Sequence, residues 1–153
     1  NVRPQLLTDP AGLRAIVDEF AATADLLKLS AADAELLYPG DQAQAVGQRL
    51  RKLGAGAVVV TLGSEGAMVF AGEQSVTVAA PRVRAVDTTG AGDAVMASLL
   101  YRLVAEGVPS DLDGWRDRVV FATQVAGLVC EAPGGASAMP TLGEVYRRFP
   151  PAA

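Results

Sequence analysis

The run Ala57-Val58-Val59-Val60-Thr61-Leu62 limits what this chain can fold into more than any other stretch. It is β-branched and apolar with no alternation, so as a strand it has no polar face to turn toward water. Both of its faces must be covered. Apolar-periodic segments precede and follow it, and helices packed on a sheet supply such cover. The expectation is an α/β layer fold, a mostly parallel sheet flanked by helices with a short antiparallel edge. The edge comes from Ala67 to Phe70 and from the alternating run Ser75 to Val78, joined by a hairpin turn at Ala71-Gly72-Glu73-Gln74.

The covering helices have their own signals. Thr8-Asp9-Pro10 reads as a helix start, with a capping side chain and a proline near the first position. Leu13, Ile16, Val17, Phe20 and Ala24 form the stripe behind it. Leu26 to Leu29 is a short strand, and Ser30 opens a helix to about Tyr38, stopped by Pro39-Gly40. Ala43, Val46, Leu50 and Leu53 mark a third helix ending at Gly54. Val95, Met96, Leu99, Leu100, Leu103 and Val104 give residues 94–104 a broad apolar stripe. Residues 115–130 are apolar nearly all round from Val119, as in a deeply buried helix, and Pro133-Gly134-Gly135 breaks it. Residues 141–149 close the chain as a short helix capped at Thr141.

Absences narrow the chemistry. The 153 residues have the length of one domain and contain no histidine, which removes Ser-His-Asp, Cys-His and histidine-rich zinc sites from the chain. A general base is then expected to be a carboxylate. Only two lysines occur, Lys28 and Lys52, and no P-loop motif. The net charge is −4 with no basic run, so nucleic acid is not an expected partner. No apolar stretch has the ~18 residues that argue a membrane span. The single cysteine, Cys130, builds no disulfide framework; it reads as a small buried apolar residue and fits a reducing, cytoplasmic setting.

Chemistry concentrates at Asp87-Thr88-Thr89-Gly90-Ala91-Gly92-Asp93. A glycine turn opening a helix presents unpaired N–H groups and the positive end of the helix dipole, a combination that binds phosphate. Gly90 and Gly92 let backbone approach a ligand, and Asp93 falls in the first helical turn. A dinucleotide site is the other reading of such a turn, but Gly90-x-Gly92-x-x-Val95 lacks the third small residue of that fingerprint.

This heptad resembles the C-terminal signature of the ribokinase-like (phosphofructokinase B) carbohydrate kinases. The resemblance covers nearly all of the chain and implies a partial Rossmann-like ribokinase fold. It also implies that Gly90, Ala91 and Gly92 form the anion hole for the transferred phosphoryl group, and that Asp93 is the base taking the proton of a sugar hydroxyl. Val95 and Ser98 depart from the residues usual in the family, in helix packing more than in chemistry. Thr61-Leu62-Gly63-Ser64-Glu65-Gly66 resembles the family's nucleotide loop, which implies that Thr61 and Gly63 line the triphosphate and that Gly66 permits the return turn. Thr123 falls where the family often has an Asn near the adenine; core packing is its other reading.

Two acids carry two readings each. Asp87 matches a family residue that helps bind a monovalent cation, K+, with the carbonyls of Val129, Ala132 and Gly134 completing that site; it is equally a turn-forming Asx residue. Ser30-Ala31-Ala32-Asp33 stands in place of the family's Asn-x-x-Glu, whose acid acts on magnesium through water, and it is also a fair capping box. Arg82 and Arg84 flank the entry to the central turn, as phosphate partners or as solvated side chains.

Asn1-Val2-Arg3-Pro4 resembles an internal stretch of fructokinase-like members. The chain therefore reads as the C-terminal, nucleotide-binding half of an ATP- and Mg2+-dependent sugar kinase, with the sugar-binding and lid half upstream. Apolar surface is then expected to be exposed unless a homodimer partner or the missing half covers it. The contrasting reading is a non-catalytic fragment or interaction module that keeps the fold remnant.

Overall fold

The computed structural model describes residues 2–151, so Asn1 of the opening stretch lies outside the described residues. Four strands, β1 (Leu26–Ser30), β2 (Ala57–Thr61), β3 (Ala67–Ala71) and β4 (Gln74–Val78), form one sheet in that order. Helix α1 (Pro10–Ala21) precedes β1; α2 (Ala31–Leu37) and α3 (Ala43–Leu53) connect β1 to β2; α4 (Ala91–Glu106), α5 (Leu112–Cys130) and α6 (Leu142–Arg148) follow β4. The α/β layering is as expected, but the balance of ladders differs. Among the described residues β1–β2 is parallel, and β2–β3 and β3–β4 are both antiparallel. The return turns at Gly63–Glu65 and Gly72-Glu73 are too short for a crossover, so each reverses the chain.

The central strand explains the layering. Val58 and Val60 join Leu29, Leu37, Val46, Leu50 and Phe70 in a core under the first three helices. Ala57 and Val59 join Val69, Leu99, Trp115, Val119 and Val129 under the last three. Residues 57–60 are fully buried, as a strand apolar on both faces must be.

Several boundaries moved. Helix α4 begins at Ala91, three residues before its apolar stripe, because Gly90 ends the turn. Helix α5 begins at Leu112, where Asp111 accepts the Gly114 N–H at 2.8 Å; the expected start at Trp115 missed this polar first turn. Helix α1 stops at Ala21, short of Ala24.

Two expected stripes are only partly covered. Leu13 and Val17 pack inward, while Ile16 and Phe20 are 50% and 66% exposed. On α4, Val95 and Leu99 are buried, while Leu100, Tyr101 and Val104 are exposed, as is Val108 just beyond the helix. Both helices are apolar over a wider arc than the described elements cover.

Candidate functional site

A cleft of about 700 Å³ opens at the C-terminal ends of the parallel strands, where α/β sheets hold ligands. Ser30 and Thr61, register partners at the ends of β1 and β2, lie side by side in its lining. Gly63, Thr88, Gly92 and Thr123 complete its polar and glycine edge.

The start of α4 is built for close approach. Gly90 has φ +80°, a left-handed conformation that glycine takes without steric cost, and a Cβ there would stand 2.9 Å from the Gly135 Cα. The Ala94 N–H donates to the Gly90 carbonyl at 2.8 Å as the first helical bond, and no side chain caps the helix. Ala91 and Gly92 face the cleft. The first turn of this 16-residue helix has no side-chain cap, an arrangement that in general favours anionic oxygen.

Asp87 holds the turn from below. Its Oδ1 accepts the Thr89 N–H at 2.9 Å and its Oδ2 accepts the Gly134 N–H at 3.1 Å. The Val86 N–H donates to the Cys130 carbonyl at 2.7 Å, and the Asp87 N–H to the same oxygen at 3.2 Å. The loop after α5 is thus locked to the turn before α4. Hydrogen bonds from Thr89, then from Gly134, hold the Asp87 carboxyl below its ordinary pKa. The Asx turn is formed, and both carboxylate oxygens accept backbone N–H groups.

On the opposite wall, the Leu62 N–H donates to the Gly66 carbonyl at 2.8 Å, closing a tight loop after β2. Gly66 has φ +106°, and a Cβ there would run into the Val78 carbonyl oxygen. Gly63 has no atom within 4 Å of its Cβ position, so its face is open to a ligand.

Other singled-out residues divide. Arg82 lines the cleft; Arg84 does not, and its N–H donates to Glu131 at 3.4 Å. Thr123 lines the cleft but is buried, and its hydroxyl donates to the Val120 carbonyl at 2.9 Å. The half-buried Cys130 lines it too, with burial, then the charge of Asp87, pushing its thiol pKa up. Asp33 is inside a complete capping box. Its Oδ2 accepts from the Ser30 N–H at 3.0 Å and the Ser30 hydroxyl at 2.7 Å, and its Oδ1 accepts the Val2 N–H at 2.8 Å. Burial pushes this carboxyl up, but the bonds from Ser30 and Val2 outweigh it and leave the pKa below the ordinary value. Of its two readings, the cap is the one these bonds populate.

No group of three His, Cys, Asp or Glu side chains able to hold a metal ion occurs among the described residues. No helix among them is long and apolar enough to cross a membrane.

Residues 2–142 match the pfkB family carbohydrate kinases. The chain belongs to that family. Among curated members of the pfkB family, it is 32% identical over 152 residues to a fructokinase of Salmonella thompson, covering 97% of this chain and 68% of that one. It is equally 32% identical to a fructokinase of Salmonella typhimurium, covering 97% of this chain and 49% of the relative. Of solved pfkB-like structures, aminoimidazole riboside kinase from Salmonella enterica, complexed with aminoimidazole riboside and an ATP analog, superposes with a TM-score of 0.87 at 27% identity. That match covers 99% of this chain and 50% of the other. Fructokinase from Vibrio cholerae O395, bound to fructose, ADP and calcium ion, matches with a TM-score of 0.81 at 30% identity over 95% of this chain and 47% of that one. A variant of the same fructokinase is described with fructose, ADP and potassium ion. The chain spans about half the length of several curated fructokinases it matches.

One cleft residue escaped the sequence reading. Lys28 lines the site from the middle of β1. Its signal was the alternation of Leu26-Leu27-Lys28-Leu29-Ser30, which puts Lys28 on the same face as Ser30.

Proposed function

We propose that this chain is the nucleotide and anion-hole half of an ATP-dependent sugar kinase of fructokinase type. The observation that carries the reading is the start of α4. An uncapped helix, entered through left-handed Gly90 and carrying Asp93 in its first turn, opens onto a cleft whose other wall is the Thr61–Gly66 loop. ATP lies in that cleft with its terminal phosphate at Gly90–Gly92. Thr61 and Gly63 accompany the triphosphate, and Thr123 sits beside the base. Asp93, in the first turn, orients a sugar hydroxyl and accepts its proton as the oxygen attacks the γ-phosphorus. The bond to the β,γ-bridging oxygen breaks, and the developing charge is met by the helix N-terminus. A magnesium ion held mainly by phosphate oxygens and water would neutralise charge on the phosphates, and Asp33 at the start of α2 would act on it only through water. Asp87 and the loop carbonyls of Val129, Ala132 and Gly134 would hold a potassium ion, which would supply positive charge to the anion hole.

The sugar contacts belong to an upstream half. The isolated 153-residue chain is therefore expected to bind ATP–magnesium but to phosphorylate no sugar. Two assays test this: titration calorimetry of the chain with ATP–magnesium, with NAD as control, and fructose phosphorylation after adding the upstream half of a fructokinase relative. Saturable ATP binding and activity only in the reassembled protein are expected. Robust phosphorylation by the purified chain alone overturns the half-enzyme reading, and binding of NAD alone overturns the kinase reading.

A second reading has its own observation. The exposed Leu100, Tyr101, Val104 and Val108 make an apolar face on and just beyond α4, and β1 is separately an edge strand of the described sheet; a non-catalytic module would self-associate through such surface. A dimer persisting at nanomolar concentration and refusing the upstream half favours that reading. A monomer that accepts the half favours the kinase.

A further inference from the structure

The cleft carries a charge pattern that the family motifs do not account for. Its lining contains two charged residues, Lys28 and Arg82, and both are cations, although the chain as a whole carries a net charge of −4. Lys28 has the less ordinary position. Strand alternation places Leu27 and Leu29 in the core under the first three helices. Leu26, Lys28 and Ser30 therefore share the opposite face, where Leu26 packs against the core under α4 and α5. Lysine is seldom placed on the helix-covered face of a strand without a partner. None of the ion pairs among the described residues engages Lys28. Within the cleft it is joined by Ser30 and Thr61 at the strand ends, and by Ala91 and Gly92 at the open start of α4.

We infer that Lys28 is the phosphate-binding cation of this cleft, taking the β- and γ-phosphates of a nucleoside triphosphate whose terminal group rests at the N-terminus of α4. The inference rests on the nucleotide reading above and adds a residue to it. A lysine ammonium is a compact point charge with three donors, suited to phosphate oxygens that shift as a phosphoryl group leaves. Lys28 thereby supplies positive charge that the missing histidines and the P-loop lysine supply in other phosphate sites, and the anion is held from two sides.

The chain contains only two lysines, so amine labelling tests this without mutation. Lys52, exposed at the end of α3 and outside this cleft, is the internal control. The purified chain is acetylated with a limiting N-hydroxysuccinimide ester, and each lysine is quantified by mass spectrometry, free and with ATP–magnesium, tripolyphosphate or adenosine. ATP–magnesium and tripolyphosphate are expected to slow labelling of Lys28 about tenfold and leave Lys52 unchanged, while adenosine protects neither. Lys28→Met is expected to weaken ATP–magnesium binding by about ten- to a hundredfold in calorimetry, and Lys28→Arg to recover most of it. If Lys28→Met does not fold by circular dichroism, the labelling result on the natural chain decides. Saturating ATP heat with no protection of Lys28 overturns this inference and leaves the nucleotide site standing. No heat with either ATP or tripolyphosphate overturns both.

Discussion

Helices α2 and α4 open onto the same cleft and begin in opposite ways. At α2 a capping box closes the start: the Ser30 hydroxyl accepts the Asp33 N–H, and the Asp33 carboxylate accepts back from the Ser30 N–H and also from Val2. At α4 a glycine stands where the cap would be, no side chain closes the helix, and the acid of the first turn follows a Gly-Ala-Gly turn. Both starts carry an acid at the third helical position, Asp33 and Asp93. A closed cap stabilises the chain; an open one holds its N–H groups for a ligand. The difference lies in the residue before the helix, because serine has an oxygen to offer and glycine offers only access.

The comparison predicts unequal effects for the two acids. In the reassembled kinase, Asp93→Asn is expected to lower kcat by about 10²- to 10⁴-fold with ATP affinity little changed, as loss of a general base requires. Asp33→Asn should reduce kcat far less. Equal losses, measured by steady-state kinetics, would erase the distinction. Next in size is Gly90→Val. A side chain at φ +80° that also meets the Gly135 backbone should cost about 1–3 kcal/mol in urea unfolding and weaken ATP binding with it. Ser30→Ala removes the cap oxygen of α2 and should cost about 1 kcal/mol in urea unfolding.

The smallest effect is a pH dependence. Asp33 and Asp87 both titrate lower folded than unfolded. The unfolded chain therefore binds more protons near the ordinary carboxylate pKa of ~3.9, and stability rises with pH through that window. The contribution is complete above that value and disappears as pH falls through the depressed folded pKa. Acid denaturation followed by circular dichroism should shift to higher pH in Asp33→Asn, which lacks the stabilising carboxylate bonds that the natural chain keeps until Asp33 is protonated. An unchanged acid midpoint would mean that the bonds from Ser30 and Val2 are not retained in solution.

Much of the fold was legible because its signals are local. The β2 run, the Ser30 and Thr141 caps, the Gly54 stop and the hairpin at Gly72 each depend on a few neighbouring residues. The central turn was legible for the same reason. Less legible was anything set by cover. Ile16, Phe20, Leu100 and Val104 are as apolar as their buried neighbours, and periodicity cannot tell a face that packs from one left exposed. The direction of β3 against β2 was similarly hidden, since a β-branched run reads alike in parallel and antiparallel ladders.

The sequence by itself determined the α/β class, the positions of most elements and the glycine turn with its acid. These follow from φ/ψ preference, capping oxygens and hydrophobic period, all properties of short segments. Only the tertiary structure decided that Asp87 clamps the Gly134 loop 47 residues away, that both Asp33 oxygens are engaged, and that Lys28 shares a cleft with Gly92. Contacts between distant segments depend on strand order and helix packing, and no local pattern encodes which two loops will meet.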